Sequence, residues 1–376
     1  MNYYGLIESR CWTPSGGLKK GELRPESETA RILSNNVRPS HLGFGHTRGK
    51  FNNDHINARE KDIITINSFI EGIFNRNNPW QANTHIANTY YKDSNLISNE
   101  EKYELVIRGL GPESLKAMNT AKASGNNFYF CDNDYLMENS THYKEDDRLS
   151  FLKKYTGIDY QKHRQRGIGR GRGFVKSTYV TRITKNKFFQ NELYKCDLTG
   201  VDKYRLNKRK SIAMAGVHKW QKEGGHILVC PTAPILTNSK YKDLYKDHPL
   251  HATPDDVESW IQKTVLELKK YTDRKIVIRI KPNLKDEHIP FADDIQGAHA
   301  CVTMCSKVAI DSVMMGIPSF CDPLSMAAPV SRTDLSQIEN PLYADNREKW
   351  IETLLLNQFT IGEIISGIAW DWLVRQ

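Results

Sequence analysis

Residues 299–322 of this 376-residue chain read HACVTMCSKVAIDSVMMGIPSFCD. The apolar run 299–304 predicts a strand, and residues 306–315 predict a helix that Gly316 ends. Residues 317–322 predict a second strand. Strand, helix and strand in this order are typical of a parallel sheet with helices packed on its faces, so this stretch predicts an α/β fold.

The same alternation continues through the rest of the C-terminal half. HILVCPT at 226–232 and KIVIRIKP at 275–282 predict two further strands, and residues 253–272 between them predict a helix that Thr253 caps and Pro254 begins. Two helices follow at 346–356 and 361–369. The pattern indicates a doubly wound, Rossmann-like domain over residues 225–376.

A second strand–helix–strand unit precedes it. Residues 104–108 predict a strand, residues 112–124 a helix, and NFYFC at 127–131 another strand. We therefore expect a Rossmann-like domain over residues 81–222, preceded by an extension, residues 1–80, to which no role is assigned. The expected architecture is two Rossmann-like domains facing a cleft, with the last helices crossing back to the first domain.

Ligands of such sheets bind beyond the carboxyl ends of the strands, which directs attention to Pro231 and Thr232. Free backbone N–H groups at the start of the helix after residue 304, helped by the Ser306 hydroxyl, predict an anion site suited to a diphosphate. Lys307 is a further basic candidate. Asp311 either accepts hydrogen bonds from a ribose or is a solvent-facing helix residue.

Two cations follow the strand at residue 275. Arg279 and Lys281 alternate with Ile278 and Ile280, and side chains that alternate along a strand lie on opposite faces. The pattern predicts that both cations point away from the core, where they suit phosphate neutralisation without a metal. The alternative is an ordinary surface pair.

The net charge of +9 is concentrated in one segment. Residues 160–222 hold 17 Lys and Arg against three acidic residues, and they include the Arg- and Gly-rich run HRQRGIGRGRGF. Either this segment is a solvated basic face or it contacts a polyanion, most simply nucleic acid. The candidate phosphate contacts within the run are Arg164, Arg166, Arg170 and Arg172.

Composition also restricts the class of protein. The N-terminal residues are polar, and no window approaches 18 apolar residues, so we expect no signal peptide, no membrane insertion and a cytoplasmic location. The seven cysteines are scattered, form no CxxC pair and are interpreted as reduced core thiols. No histidine or cysteine spacing indicates a metal site.

Three runs carry a resemblance to known proteins: HACVTMCSKVAIDSVMMGIPSF at 299–320, AAPVSRTDLSQIENP at 327–341, and DNREKWIETLLLNQFTIGEIISGIAWDWL at 345–373. They resemble bacterial and phage glycosyltransferase-like proteins. The C-terminal half is similar to the Kdo transferases of capsule assembly and, more distantly, to other transferases of the two-Rossmann GT-B architecture. NFYFCDNDY also fits, except that Asp134 stands where the family pattern has glycine.

The resemblance implies the fold and the reaction class, which is transfer of a sugar from a nucleotide sugar. We expect a hexosyl or pentosyl group, a UDP-sugar as the donor, and no cofactor or catalytic metal. In an inverting enzyme of this kind a carboxylate takes the proton of the acceptor hydroxyl. Asp132, just past its predicted strand, is the expected base and Asp134 the alternative, although Asp132 could instead cap a turn.

The basic segment favours double-stranded DNA as the partner. The expected acceptor is then 5-hydroxymethylcytosine in phage DNA, flipped out of the duplex. Two alternatives stay open: a transferase of surface polysaccharide or lipid-linked glycan synthesis, and a nucleic-acid-binding protein without catalysis.

Overall fold

The computed structural model describes residues 2–7, 69, 103–108, 112–133, 135–136, 180–232, 254–280 and 291–376. The chain forms two compact units: residues 1–188 together with 357–376, and residues 189–356. The sequence analysis placed the domain boundary at 222–225. The difference arises because residues 189–222 include a helix that packs on residues of the second unit.

The first unit is built on a five-stranded sheet. Its strands are β1 (Asn2–Ile7), β2 (Tyr103–Arg108), β3 (Asn127–Asn133), β4 (Val180–Lys185) and β9 (Gln358–Thr360), in the order β1-β2-β3-β4-β9. Strands β1, β2 and β3 are parallel. Strand β4 is antiparallel to both β3 and β9. The sheet is therefore mixed, and β4 lies in the basic segment, where the sequence analysis predicted no strand.

Helix α1 (Pro112–Ala123) connects β2 to β3, as predicted. The helix is followed by Gly125, which adopts a left-handed φ of 66°, a conformation that glycine accepts without steric cost. The central strands are apolar on both faces: Leu105, Val106 and Ile107 of β2 are fully buried. Continuous apolar runs of this kind are typical of parallel strands covered on both sides.

The last twenty residues belong to the first unit, which agrees with the expected return of the chain. The predicted helix 361–369 is in fact two short helices, α7 (Ile361–Ile365) and α8 (Ile368–Val374). Gly367 separates them with a φ of 78°. Thr360 and Glu363 form a capping box at the start of α7, which satisfies N–H groups that have no partner within the helix.

The second unit contains a four-stranded parallel sheet. Its strands are β5 (His226–Cys230), β6 (Lys275–Ile278), β7 (Ala298–Thr303) and β8 (Ser319–Phe320), in the order β6-β5-β7-β8. The connecting helices are α3 (Pro254–Leu268), α4 (Phe291–Ile295) and α5 (Val308–Met314). The predicted α/β fold with a parallel sheet is confirmed for this unit.

Helices cover both faces of this sheet. On one face Ile227, Val229 and Val302 pack with Leu268 of α3. On the other face, Leu228 and Cys301 belong to a cluster that includes Ile295 of α4. Successive residues of β5 therefore alternate between two cores, which is the packing of a doubly wound domain.

Helix α2 (Gly200–Ala215) packs on α6 (Arg347–Leu356) in the same unit. Buried Arg209 and Arg205 donate hydrogen bonds of 3.2 Å each to the carbonyls of Leu355 and Leu356. Those carbonyls end α6 and lack helical N–H partners. Part of the basic segment is therefore structural.

Five of the six cysteines in the described part of the chain are buried. No helix among the described residues is long and apolar enough to cross a bilayer.

Candidate functional site

The carboxyl edge of the second sheet has a topological switch point. From β5 the chain crosses to β6 on one side, and from β6 it returns to β7 on the other side of β5. The ends of two neighbouring strands whose connections run in opposite directions leave a crevice, and α/β sheets bind their ligands there. The crevice lies between the ends of β5 and β7.

Pro231 and Thr232 follow β5 directly, at this switch point, and their contact with a ligand stays a prediction. Thr232 is buried, and its hydroxyl oxygen accepts a hydrogen bond of 3.3 Å from the Cys305 N–H, two residues after β7. Thr232 thus ties the two strand ends together. A hydroxyl that accepts one hydrogen bond keeps its own proton for donation, which suits a phosphate oxygen.

The helix after β7 begins later than predicted. It starts at Val308 rather than Ser306 and has seven residues. The Ser306 hydroxyl accepts the Val308 N–H at 3.3 Å, and the next two N–H groups donate to the carbonyls of Ser306 and Lys307. The N–H groups of Val308, Ala309 and Ile310 at the start of the helix are therefore already bonded. Diphosphate binding here remains a prediction, in which the side chains of Thr232, Ser306 and Lys307 take part.

Asp311 lies in the first turn of α5 and is half-buried. It is therefore not the fully solvent-facing helix residue that was the alternative to a ribose contact. Burial raises the pKa of its carboxyl, and the positive charge of Lys307 partly offsets the rise. A half-buried carboxyl can accept or donate a hydrogen bond to a ribose, and that role stays a prediction. Ser312 beside it is buried and donates to the Ile317 carbonyl at 3.0 Å.

The predicted orientation of Arg279 is wrong. Ile278 and Ile280 are 46% and 67% exposed, whereas the Arg279 side chain is only 13% exposed. Its guanidinium forms an ion pair with Asp294 and lies 5.7 Å from the ring centroid of Phe291. Arg279 therefore packs toward α4 on the inner side, and Lys281 lies outside the described residues.

The physical reason is the position of β6 at the edge of the sheet. Alternation along a strand shows which side chains share a face, but it does not show which face is buried. In an edge strand the apolar face can be the exposed one. Val229 pairs with Ile278 in the register of β5 and β6, so Arg279 follows alongside Cys230. Arg279 still follows the carboxyl end of β6 directly.

In the first unit, Asp132 lies within β3 rather than just past it. Its carboxylate oxygen Oδ2 is 2.6 Å from Nη2 of Arg182 on β4, and the two residues are register partners. The Arg182 side chain is 6% exposed and that of Asp132 is 34% exposed. Asp134 lies outside the described residues.

Arg182 is held on several sides. Its guanidinium carbon lies 5.0 Å from the ring centroid of Tyr135 and 5.8 Å from that of Phe130. Burial has the largest single effect on the pKa of Arg182 and lowers it, but the charges and hydrogen bonds of Asp132 and Tyr135 together outweigh burial, so the pKa is raised. The guanidinium therefore stays protonated at neutral pH.

Gln358 completes this arrangement from β9. Its side-chain oxygen accepts hydrogen bonds from the N–H groups of Tyr135 and Leu136 at 2.5 and 2.7 Å, and its backbone pairs with Arg182. The sequence analysis missed Arg182 and Gln358. One arginine inside the β-branched run VTRIT could have indicated Arg182. An arginine in a buried strand needs a partner for its charge, and such a partner marks a polar site.

The four arginines predicted to bind DNA, Arg164, Arg166, Arg170 and Arg172, lie outside the described residues. Elsewhere in the basic segment Arg182, Arg205 and Arg209 are buried, and Lys210 forms ion pairs with Glu348 and Glu352. The exposed lysines of the described part of the segment are Lys195, Lys203, Lys208, Lys219 and Lys222.

No family model matches the chain, and no curated protein matches it. The solved structures that resemble it include two of KpsC from Thermosulfurimonas dismutans. The beta Kdo 2,4 transferase is 9% identical with a TM-score of 0.32, over 67% of this chain and 82% of that chain. The beta Kdo 2,7 transferase is 10% identical with a TM-score of 0.38, over 79% of this chain and 94% of that chain. At these TM-scores neither likeness carries an argument about this chain.

Proposed function

We propose that this chain is a glycosyltransferase that moves a sugar from a nucleotide-sugar donor to an acceptor hydroxyl. The observation that carries the proposal is the switch point between β5 and β7, where Thr232 links the two strand ends. Such crevices bind nucleotides in α/β domains. The glycosyltransferase resemblance of residues 299–373 supports this class of ligand.

The donor in this proposal is a UDP-sugar bound without a metal. The hydroxyls of Thr232 and Ser306 would donate to the diphosphate, with Lys307 and Lys281 as cations. Arg279 contributes although Asp294 already contacts it, because a guanidinium has five N–H donors and can serve two anions. Asp311 would hydrogen-bond the ribose.

On the acceptor side Asp132 is the proposed base, and Asp134 is the alternative. As the acceptor oxygen attacks the anomeric carbon, its proton passes to the carboxylate, and the departing diphosphate is stabilised by the cations of the donor site. The proposal includes the two-domain GT-B arrangement predicted from the sequence.

For the acceptor we propose 5-hydroxymethylcytosine in double-stranded DNA. The specific observation is the charge of residues 160–222, with 17 cations against three acidic residues. Four of those cations are bonded within the protein, so the DNA contacts would come from the exposed lysines and the Arg- and Gly-rich run. The two alternatives to a DNA acceptor are a glycan acceptor and nucleic-acid binding without catalysis, and the following experiment distinguishes them.

The test measures UDP release from a panel of UDP-sugars with 5-hydroxymethylcytosine DNA, unmodified DNA and a neutral oligosaccharide. Release with the hydroxymethylated DNA alone supports the full proposal, whereas release with the oligosaccharide alone replaces the DNA acceptor by a glycan. DNA binding that nucleotide sugars leave unchanged, with no release on any acceptor, would contradict a glycosyltransferase.

The donor site has its own test, in Thr232→Val. Valine keeps the shape of the side chain but removes the hydroxyl, so the KM for the donor should rise roughly tenfold, the value of about one hydrogen bond to a charged group. Thr264→Val is the matched control, since Thr264 is a similarly buried threonine within α3. An unchanged donor KM in Thr232→Val would remove Thr232 from the site.

A further inference from the structure

We propose that Arg182 is a positioning residue for the transfer reaction: it fixes the Asp132 carboxylate at the carboxyl end of β3, where the acceptor hydroxyl is to be deprotonated. This inference rests on the proposed function. It assigns a second residue to the acceptor side, from a strand that the sequence analysis did not predict.

The first support is the register of three strands. Asp132 of β3 is opposite Arg182 of β4, and Arg182 is opposite Gln358 of β9. The three side chains belong to one row across the sheet, and the Asp132–Arg182 contact of 2.6 Å follows from that register. A contact set by strand pairing is fixed more tightly than one between two loops.

The second support is the unequal exposure of the two partners. Only 6% of the Arg182 side chain is exposed, against 34% of Asp132. Burying a guanidinium costs several kcal/mol unless a carboxylate and further contacts offset the cost. Here the carboxylate of Asp132 offsets the cost and remains accessible to a substrate. The buried Arg182 therefore orients the more exposed Asp132.

The third support is the set of contacts that hold the arginine and the chain after β3. The rings of Tyr135 and Phe130 stack near the guanidinium, which limits its rotation. Gln358 accepts the N–H groups of Tyr135 and Leu136. The backbone just after Asp132 is thereby tied to β9.

The reaction assigns each group a balanced role. The acceptor oxygen bonds to the anomeric carbon, the bond from that carbon to the diphosphate breaks, and the hydroxyl proton passes to Asp132. Among the described residues, Asp132 and Tyr135 are the titratable groups that act on Arg182. The nearby positive charge keeps the carboxylate ionised to lower pH, which keeps the base in its active form.

The experiment compares Arg182→Met, Arg182→Lys and wild type in the pH profile of kcat/KM. Methionine removes the charge, so the acidic limb should move up by roughly 1–3 pH units, the usual effect of losing an opposite charge at this distance. Lysine keeps the charge but loses the planar fork. We expect its acidic limb unchanged and its plateau kcat lower by about tenfold or more, as for a misplaced catalytic group.

A second readout does not require turnover. The carboxyl carbon of Asp132, followed by NMR against pH, should titrate higher in Arg182→Met than in wild type. If wild type releases no UDP with any donor and acceptor tested, the proposed function fails, while this titration still decides whether Arg182 controls Asp132. Arg205→Met is the control, because Arg205 is also buried and its loss should lower stability without moving either titration.

Two results would overturn the inference. One is a folded Arg182→Met variant in which both the acidic limb and the Asp132 titration match wild type. The other is an Arg182→Lys variant with wild-type kcat, which decides the question even if the methionine variant does not fold.

Discussion

Replacing Arg209 with methionine should destabilise the second unit by about 2 kcal/mol. The guanidinium donates to the Leu355 carbonyl at 3.2 Å, and this carbonyl, in the last turn of α6, lacks a helical donor. A hydrogen bond to a charged group contributes roughly 1.5–3 kcal/mol, and a cation at a helix C-terminus adds about 0.3–1 kcal/mol. Relief from burying the charge offsets part of this total.

Methionine occupies most of the volume of the arginine stem, so a cavity adds little to the change. For a unit of this size, about 2 kcal/mol corresponds to a fall in Tm of roughly 4–8 °C. Urea unfolding followed by the fluorescence of the second unit's tryptophans, with calorimetry as a check, measures the effect. Because the chain forms two units, only the transition that contains the second unit is used.

The matched control is Lys203→Met on the same helix. Lys203 is exposed, and it lies in the first turn of α2, where a cation opposes the helix dipole. Its loss should leave stability within about 0.5 kcal/mol. If DNA is the partner and Lys203 touches a phosphate, the slope of log affinity against log salt should fall by about 0.9.

The two variants therefore separate structural from phosphate-binding cations. An Arg209→Met protein as stable as wild type but with weakened DNA binding would refute the reasoning, since it would show that the guanidinium serves a partner and not α6.

Two further predictions concern stability. Burial raises the pKa of the Glu104 carboxyl despite a hydrogen bond from Asn127. Above pH 4.5 the folded state therefore binds more protons than the unfolded state. The free energy of unfolding should then fall as pH rises toward the raised pKa of the folded state. Glu104→Gln should remove this fall in stability above pH 4.5, measured by urea unfolding over a series of pH values. Stability curves that run parallel in wild type and variant would contradict the expectation. Gly316→Ala should cost at least about 2 kcal/mol, because Gly316 has a φ of +79° and its Cβ would lie 2.1 Å from the Lys219 carbonyl. Gly225→Ala, with nothing within 4 Å, is the control, and equal Tm values would disprove the expected clash.

The second unit was largely predictable from sequence. Strands β5 and β6 lie within the predicted runs 226–232 and 275–282, and β7 starts one residue before the predicted run 299–304. The buried strands β5 and β7 appear in the sequence as continuous apolar runs, which is typical of parallel strands covered on both faces. Helix α3 begins at Pro254, as predicted, since proline there fixes φ and lacks only an N–H that has no helical partner. Local composition decides these features.

Features that depend on distant partners were not predictable in this way. Strand β4 contains Arg182 and Lys185 in a basic segment, and its pairing partner β3 lies about fifty residues earlier. Strand β9 has three residues, too few to show a period. Strand β4 pairs with the edge of β3, and β9 pairs with the edge of β4. Each pairing depends on a distant part of the chain, which a single segment does not reveal.

The sequence also does not show which cations of the basic segment are bonded within the protein. Asp202, Arg205 and Arg209 are spaced three and four residues apart, so they share one face of α2. All three are buried, and that face packs on α6. Counting charges treats every cation as exposed to solvent. A cation on the same buried helix face as an acidic residue is instead already bonded within the protein. Any contact with DNA must therefore come from the cations that do not share that face, which makes Lys203 and Arg209 the informative pair.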